Sequence, residues 1–498
     1  MSQATPATST DTTLDLDDAL GESEVQEFKK RSVSGAISYT VRSLFLYGIG
    51  LVTSLLLAAY LDAEAFGIYG LVTQIVSLLQ FFSDVGLGPT LIQKKAQPTV
   101  QEFRVVFTVQ QLLSWFIFAC TVLLAVSGVL NAKLTEAGIW VLLALGASFP
   151  LSSLKTIPAI ILERKLDFSR LVIPSIFEHL VYSTVLMVMV ISGIGVKAYA
   201  YAVLLRAIVG VIVMYWLQGW PMGLHLDRSI IKTVIGTGVK FQAADLLAKI
   251  KDNVFYLVLG WFLPLQQFGY ITFAKQWSQV PYMLTVQNVI AITFPAYSRL
   301  QHDKERLKKA IEKSIFFITL TIFPILVGMS LFIIPVTELV ERYAKWQPAI
   351  PTFIFFTLSI AWAAVSTPLT NALNAIGKIN VTLKLMIMWT VLTWGLTPVL
   401  MWFYGFNGVA LAAFVISFTS VLPIYYMEQY VNLDIVSNTW RQLLAALLMT
   451  AVGYFGLPYW QQSFAWLVAG MVIVGSTYIL TFLVIGWRKI TTELKSLR

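Results

Sequence analysis

The chain is poor in the residues on which most site chemistry depends. Its 498 residues include one cysteine, Cys120, and three histidines, His179, His225 and His302. A lone thiol inside the apolar run FIFACTVLL builds neither a disulfide framework nor a thiolate metal site, and reads as a small buried hydrophobe. Three scattered histidines do not suggest a metal cluster, and neither His-Glu-x-x-His nor Gly-x-Ser-x-Gly occurs. No Gly-x-x-x-x-Gly-Lys-Ser/Thr run cradles a nucleotide, since Gly236 and Gly238 ahead of Lys240 miss that spacing. No cofactor and no metal are therefore expected. Charge is scarce as well, at 12% of residues, which sets the chain apart from soluble domains.

What is abundant is apolar length. Hydrophobic residues make up 57% of the chain and mean hydropathy is +0.75. Runs of about 20 apolar residues, enough to cross a hydrocarbon core of about 30 Å, recur along almost the whole sequence. Reading them against charged and Pro/Gly-rich breaks predicts an all-α polytopic membrane protein. About fourteen helices are expected, centred near residues 48, 78, 117, 150, 182, 207, 248, 283, 325, 362, 392, 417, 449 and 475. Residues 1–34 begin with an acidic, Ser/Thr-rich stretch that has too few apolar groups to fold, so a disordered tail is expected there.

With the amino terminus in the cytoplasm, 24 of the 35 basic residues fall in inside loops or tails, against four outside (Lys133, Lys197, Arg342 and Lys345). The positive-inside rule selects that orientation, with both termini cytoplasmic. The net charge of +9 then reads as a topology signal and an attraction to membrane lipids, and no nucleic-acid partner is expected.

The second half echoes the first. AEAFGIYGLVTQ (63–74) aligns with LQQFGYITFAKQ (265–276) at an offset of 202, setting Phe66-Gly67 on Phe268-Gly269. ILERKLDFSRLVI (161–173) resembles NAIGKINVTLKLMI (374–387), and GIGVKAYAYAVL (193–204) resembles GFNGVALAAFVI (405–416). The repeat unit is about six helices, and an even number gives both copies the same orientation. Two parallel six-helix lobes related by a pseudo-two-fold axis are an arrangement of transporters with a central site. The expected division is an N-lobe at 35–218, a cytoplasmic linker at 219–233, a C-lobe at 234–430, and two further helices with a basic end at 431–498.

Charges inside spans are costly, roughly 2.5 to 3.5 kcal/mol each on insertion scales, so they face a cavity or a partner. The basic candidates are Arg42, Lys155, Arg206, Lys240, Lys249, Lys251 and Lys275. Arg42, Lys155 and Lys240 lie near an expected cytoplasmic end, where a long side chain can also snorkel to headgroups. Arg206 is mid-span and is expected to line a cavity. Asp84, Glu178, His179, Asp245 and Asp252 are candidates for ion coupling or for structural charge pairs. In VKFQAADLLAKIKDNVF (239–255), helical spacing groups Asp245, Lys249 and Asp252 into a self-neutralising ladder and leaves Lys240 and Lys251 on another face. Tyr199, Tyr201 and Tyr256 are candidates for stacking on sugar rings.

The loops carry a resemblance. LDAEAFGIYGLVTQIVSLLQFFSDVGLGPTLIQKK (61–95), LERKLDFSRL (162–171), KDNVFYLVLGWFLPLQQFGYITFAKQW (251–277), FPAYSRLQHDKERLKKA (294–310), KWQPAIPTF (345–353) and NALNAIGKIN (371–380) resemble the bacterial polysaccharide transporter family. Within it they are most similar to the WzxC-like lipopolysaccharide and exopolysaccharide flippases of the multidrug/oligosaccharidyl-lipid/polysaccharide superfamily. The resemblance covers roughly residues 35–430. It implies an inner-membrane carrier, not an enzyme, that moves an undecaprenyl-diphosphate-linked oligosaccharide by alternating access, alongside other polysaccharide-assembly proteins. Two readings compete with it. A cation-coupled multidrug exporter of the same superfamily would want an acidic lumen, and a polytopic polysaccharide-assembly enzyme would want a catalytic carboxylate or histidine on an external loop.

Overall fold

Apolar runs of this length can satisfy their backbone in lipid only as helices, and every regular element among the described residues is helical. The structure, a computed structural model, describes residues 45–83, 87–94, 96–232 and 253–495. The helices are α1 (Phe45–Tyr60), α2 (Ala63–Ser83), α3 (Leu87–Gln93), α4 (Val100–Val126), α5 (Glu136–Leu154), α6 (Thr156–Arg164), α7 (Phe168–Ile191) and α8 (Ala198–Leu217). After a gap come α9 (Phe255–Phe262), α10 (Leu265–Tyr282), α11 (Asn288–Arg299), α12 (Lys304–Leu339), α13 (Ile350–Ala375), α14 (Ile379–Tyr404), α15 (Asn407–Ser417) and α16 (Val421–Glu428). The last two are α17 (Ile435–Trp460) and α18 (Phe464–Lys495). Ten spans among the described residues are long and apolar enough to cross a membrane. Of the expected span centres, the one near 283 falls on the π segment Met283–Gln287 that joins α10 to α11, and the one near 248 lies outside the described residues, as does the expected tail; the others fall inside described helices.

Local signals set the ends. Thr99, Thr135, Asp167, Asp303 and Asp434 each accept a backbone N–H from the first turn of α4, α5, α7, α12 and α17. At Thr99 the cap is reciprocal, because Glu102 accepts from the Thr99 backbone in turn. Arg164 is structural: its guanidinium donates to the Leu91, Ile92, Lys94 and Ala96 carbonyls and so closes the end of α3.

The two lobes meet where the repeat predicted kinship. Helices α2 and α10 cross with backbones almost touching, at Gly67 and Gly269. A Cβ on Gly67 would sit 1.9 Å from the Leu265 carbonyl oxygen, and one on Gly269 would sit 1.7 Å from that of Ala63. Each contact is the image of the other under the 202-residue offset, the signature of a pseudo-two-fold axis between the lobes. The turns after α7 and α14 echo each other too, with Gly193 and Gly405 both at positive φ. Lipid tails are as apolar as the side chains they would replace, so small residues that admit close backbone approach hold such a junction. Gly269→Ala is expected to separate the lobes, at about 1 to 3 kcal/mol for the overpacking. The check is a lower melting temperature in detergent with unchanged membrane insertion.

A buried apolar cluster runs through this junction, from Leu57, Leu71 and Leu142 on one side to Phe268, Ile271, Trp346 and Phe353 on the other. Helices α17 and α18 pack on the flank of α12 through Met449, Val474 and Phe482. They leave the junction itself to the two lobes.

Candidate functional site

Helices α1, α2 and α10 enclose a cavity of about 850 Å³ between the lobes. Tyr47, Gly48, Gly50 and Ser54 of α1, Gln74 of α2 and His179 of α7 line it from the first lobe. Tyr256, Thr272, Lys275, Gln276 and Trp277 line it from the second. The Lys275 ammonium lies 3.3 Å from the centroid of the Tyr256 ring, so the aromatic face holds it at the cavity wall. His179 keeps Nδ1 3.0 Å from the Ser175 carbonyl oxygen one turn earlier on α7. Gln74 Oε1 and Trp277 Nε1 are buried without a hydrogen-bond partner among the described residues, which suits polar atoms that serve a visiting group. The helix on the second-lobe side is interrupted: Pro281 precedes a π turn over Met283–Gln287 before α11 begins, and Met283 and Leu284 border the cavity.

A second polar feature lies inside the first lobe. Lys155 is the joint between α5 and α6, where the axis breaks ahead of Pro158, and its ammonium pairs with Glu178 Oε1 on α7. The other carboxylate oxygen, Oε2, is 3.5 Å from Arg206 Nε on α8. The Glu178 side chain is 7% exposed and the Arg206 side chain 40%. Gly210 makes room for the carboxylate, since a Cβ there would lie 2.1 Å from Oε1. Among the described residues one carboxylate therefore answers two cations, a formal excess of +1. The Arg206 guanidinium stands 5.7 Å from the Tyr182 ring centroid, and the Tyr182 hydroxyl is 3.4 Å from that of Tyr69.

The sequence-predicted residues thus divide. Lys275 and His179 border the central cavity, whereas Lys155, Glu178 and Arg206 come together in the first lobe and are not among the residues lining it. Arg42, Asp84, Lys240, Asp245, Lys249, Lys251 and Asp252 lie outside the described residues. Of the tyrosines, Tyr256 is at the cavity wall, while Tyr201 is half exposed. Tyr199 is 2% exposed and already stacked on Tyr69 with ring centroids 3.8 Å apart, so its face is not available to a sugar. Charge scanning missed Gln74, Gln276 and Trp277. The only signal for them was the adjacent Gln276-Trp277 pair two helical turns past Phe268-Gly269, with Gln74 at the position equivalent to Gln276 under the 202-residue offset.

Residues 56–351 match the model of the family described as polysaccharide biosynthesis protein. The chain belongs to that family. The resemblance carried by the loops is borne out. Similar relatives of the chain include lipopolysaccharide biosynthesis protein WzxC of Escherichia coli (strain K12), 20% identical over 463 residues, or 90% of this chain and 89% of that one. Succinoglycan biosynthesis transport protein ExoT of Rhizobium meliloti (strain 1021) is 20% identical over 318 residues, 63% of each chain. Among solved structures, lipid II flippase MurJ in an inward closed conformation superposes with a TM-score of 0.72 at 16% identity, covering 91% of this chain and 100% of that one. An inward-facing MATE multidrug transporter of the MOP superfamily gives 0.57 at 16% identity, covering 82% and 98%. The chain is thus a multi-pass membrane protein with the fold of these transporters.

Proposed function

We propose that the protein is a flippase that carries an undecaprenyl-diphosphate-linked oligosaccharide from the cytoplasmic to the periplasmic leaflet of a bacterial inner membrane by alternating access. The observation that carries this reading is the cavity between the lobes, whose described lining holds Lys275 and His179 and no carboxylate. A dianionic diphosphate needs fixed cations and polar groups where water is scarce, and an ammonium at a low-dielectric wall provides a strong attraction. A cationic drug would want the opposite lining. Lys240, Lys251 and Arg42 are further cations that this reading recruits to the path. The lobes would rock about the Gly67/Gly269 crossing, with both termini on the cytoplasmic side.

Deletion of the gene, followed by assay of lipid-linked repeat units on each face of the inner membrane, tests the proposal. Accumulation on the cytoplasmic leaflet with loss of surface polymer is expected. An unchanged distribution with normal polymer would sink it. Within the same strain, Lys275→Ala is expected to insert normally and to lower polymer export at least about tenfold, the effect of losing one charge-assisted contact of about 1.4 kcal/mol or more. Wild-type export by that variant would remove Lys275 from the path.

A further inference from the structure

A second cavity, of about 330 Å³, opens inside the second lobe between α9, α13, α14 and α15. Its wall is unlike that of the central cavity. No charged side chain is among the described residues lining it, and eight serine and threonine side chains are: Ser359, Ser366, Thr367, Thr370, Thr393, Thr397, Ser417 and Ser420. Several of these hydroxyls have already committed their proton. Thr367 donates to the Ala363 carbonyl, Thr370 to that of Thr367, Thr393 to that of Trp389, Ser417 to that of Phe414 and Ser359 across to that of Ala413. A hydroxyl has one proton and two lone pairs, so each of these oxygens faces a partner as an acceptor. Thr367 shows that capacity, since its oxygen accepts from the Tyr282 hydroxyl at 3.3 Å.

The aromatic residues of the wall are also fixed. Trp389 Nε1 donates to Thr419 Oγ1 at 2.8 Å, which anchors the indole by its polar edge while its ring borders the cavity. Phe255 packs edge-on to Tyr256 and to Trp394, with centroids 5.5 and 5.4 Å away. Uncharged acceptors beside aromatic rings suit a ligand with many O–H donors and apolar C–H faces. The volume lies in the range of about 300 to 1,000 Å³ typical of small-molecule sites, far beyond what a dehydrated ion fills.

Tyr256 lines both cavities and carries the Lys275 ammonium on its ring. We infer that the second-lobe cavity is a sugar subsite, which receives neutral sugar rings of the cargo while the diphosphate stays beside Lys275. This assignment rests on the flippase reading above. It divides the labour between the lobes: charge recognition lies at their junction and sugar recognition within the second lobe.

The test uses the full-length protein in phosphatidylethanolamine/phosphatidylglycerol vesicles. The transported probe is the undecaprenyl-diphosphate-linked repeat unit that accumulates in the deletion strain, and undecaprenyl diphosphate without sugar is the competitor. The variant Ser366→Ala/Thr393→Val/Thr397→Val removes hydroxyl oxygens while keeping shape, and Trp389→Phe serves as a milder second variant. The expected result is a rate for the repeat unit at least about tenfold lower in the triple variant, from losing acceptors worth about 1 kcal/mol each. Half-inhibition by the sugarless competitor should not change. An unaltered rate, or an equal loss of competitor binding, would overturn the subsite, as would a defect that saturating Na+ repairs. Failure of the wild-type protein to move the repeat unit would instead overturn the flippase reading itself.

Discussion

Glu178→Gln is expected to give a protein that still inserts but is less stable by about 3 kcal/mol and no longer supports polymer export. The carboxylate is 7% exposed and answers both Lys155 and Arg206. Removing one partner of a buried ion pair costs more than the pair contributed, roughly 3 to 5 kcal/mol, because the other charge is left without compensation. The lower end applies here, since the Arg206 side chain is 40% exposed and can turn toward polar surroundings, whereas Lys155 is only 23% exposed and fixed at a helix joint. A thermal-shift measurement in detergent reads the loss. Adding Lys155→Met to Glu178→Gln should restore about half of it, because the less exposed cation is then gone. Two other outcomes are informative. Loss of export with no thermal shift would place the role of the carboxylate in the transport cycle rather than in the fold. No change in either would mean that the pair supports neither fold nor function. Gly210→Ala is expected to resemble Glu178→Gln in stability, since its methyl would displace the same carboxylate.

This cluster shows where sequence reading reaches and where it stops. Insertion cost marks Lys155, Glu178 and Arg206 individually, because any charge inside a span is conspicuous against lipid. Their meeting on three different helices is decided by crossing geometry, which periodicity does not encode. The helices themselves were legible, since a bilayer imposes length and apolarity on each one, and so was the equivalence of Gly67 and Gly269 in the repeat; that the two glycines meet at the junction was shown only by the packing. The second-lobe cavity was not legible. Serine and threonine in a membrane helix look alike whether they merely bond the preceding turn or line a cavity, and only the packing of α13, α14 and α15 brings Thr367, Thr393 and Ser417 to one space. Tyr199 failed as a sugar platform for a similar reason: its sequence neighbours do not reveal that Tyr69 already covers its face.

The junction is locked at one end by a device that the sequence showed only as a family loop. The 3-10 segment Glu341–Ala349 of the second lobe reaches over the carboxyl end of α1 in the first. Trp346 Nε1 donates to the Ala58 carbonyl at 2.7 Å and Lys345 Nζ to that of Ala59 at 2.9 Å, while the Arg342 guanidinium covers the Tyr60 ring at 4.2 Å. Ala58 and Ala59 belong to the last turn of α1, whose carbonyls have no partner within their own helix and carry the negative end of its dipole. The second lobe thus caps a helix of the first. Nearby, Lys133 reaches the Leu263 carbonyl at 3.0 Å in the opposite sense, from first lobe to second.

Trp346→Phe is expected to shift the protein toward an arrangement open at this end. The ring of Trp346 stacks on Phe273 of its own lobe at 4.1 Å, and phenylalanine keeps that contact in either arrangement. The bond to Ala58 crosses the junction and exists only when the lobes are closed here. Its loss leaves a buried carbonyl unsatisfied, at about 1 to 3 kcal/mol, and 2 kcal/mol alters the ratio of closed to open molecules roughly 30-fold. Val129 and Phe262 are exposed beside the Lys133 contact and lie on opposite lobes, so spin labels there report the separation once Cys120 is replaced. A longer-distance population should grow in Trp346→Phe and grow further when Lys345→Met is added. An unchanged distance distribution in the double variant would show that these caps do not hold the lobes closed. On the alternating-access reading proposed above, each lock is only a few kcal/mol deep, so the same variants should lower export by leaving the carrier too long in one state.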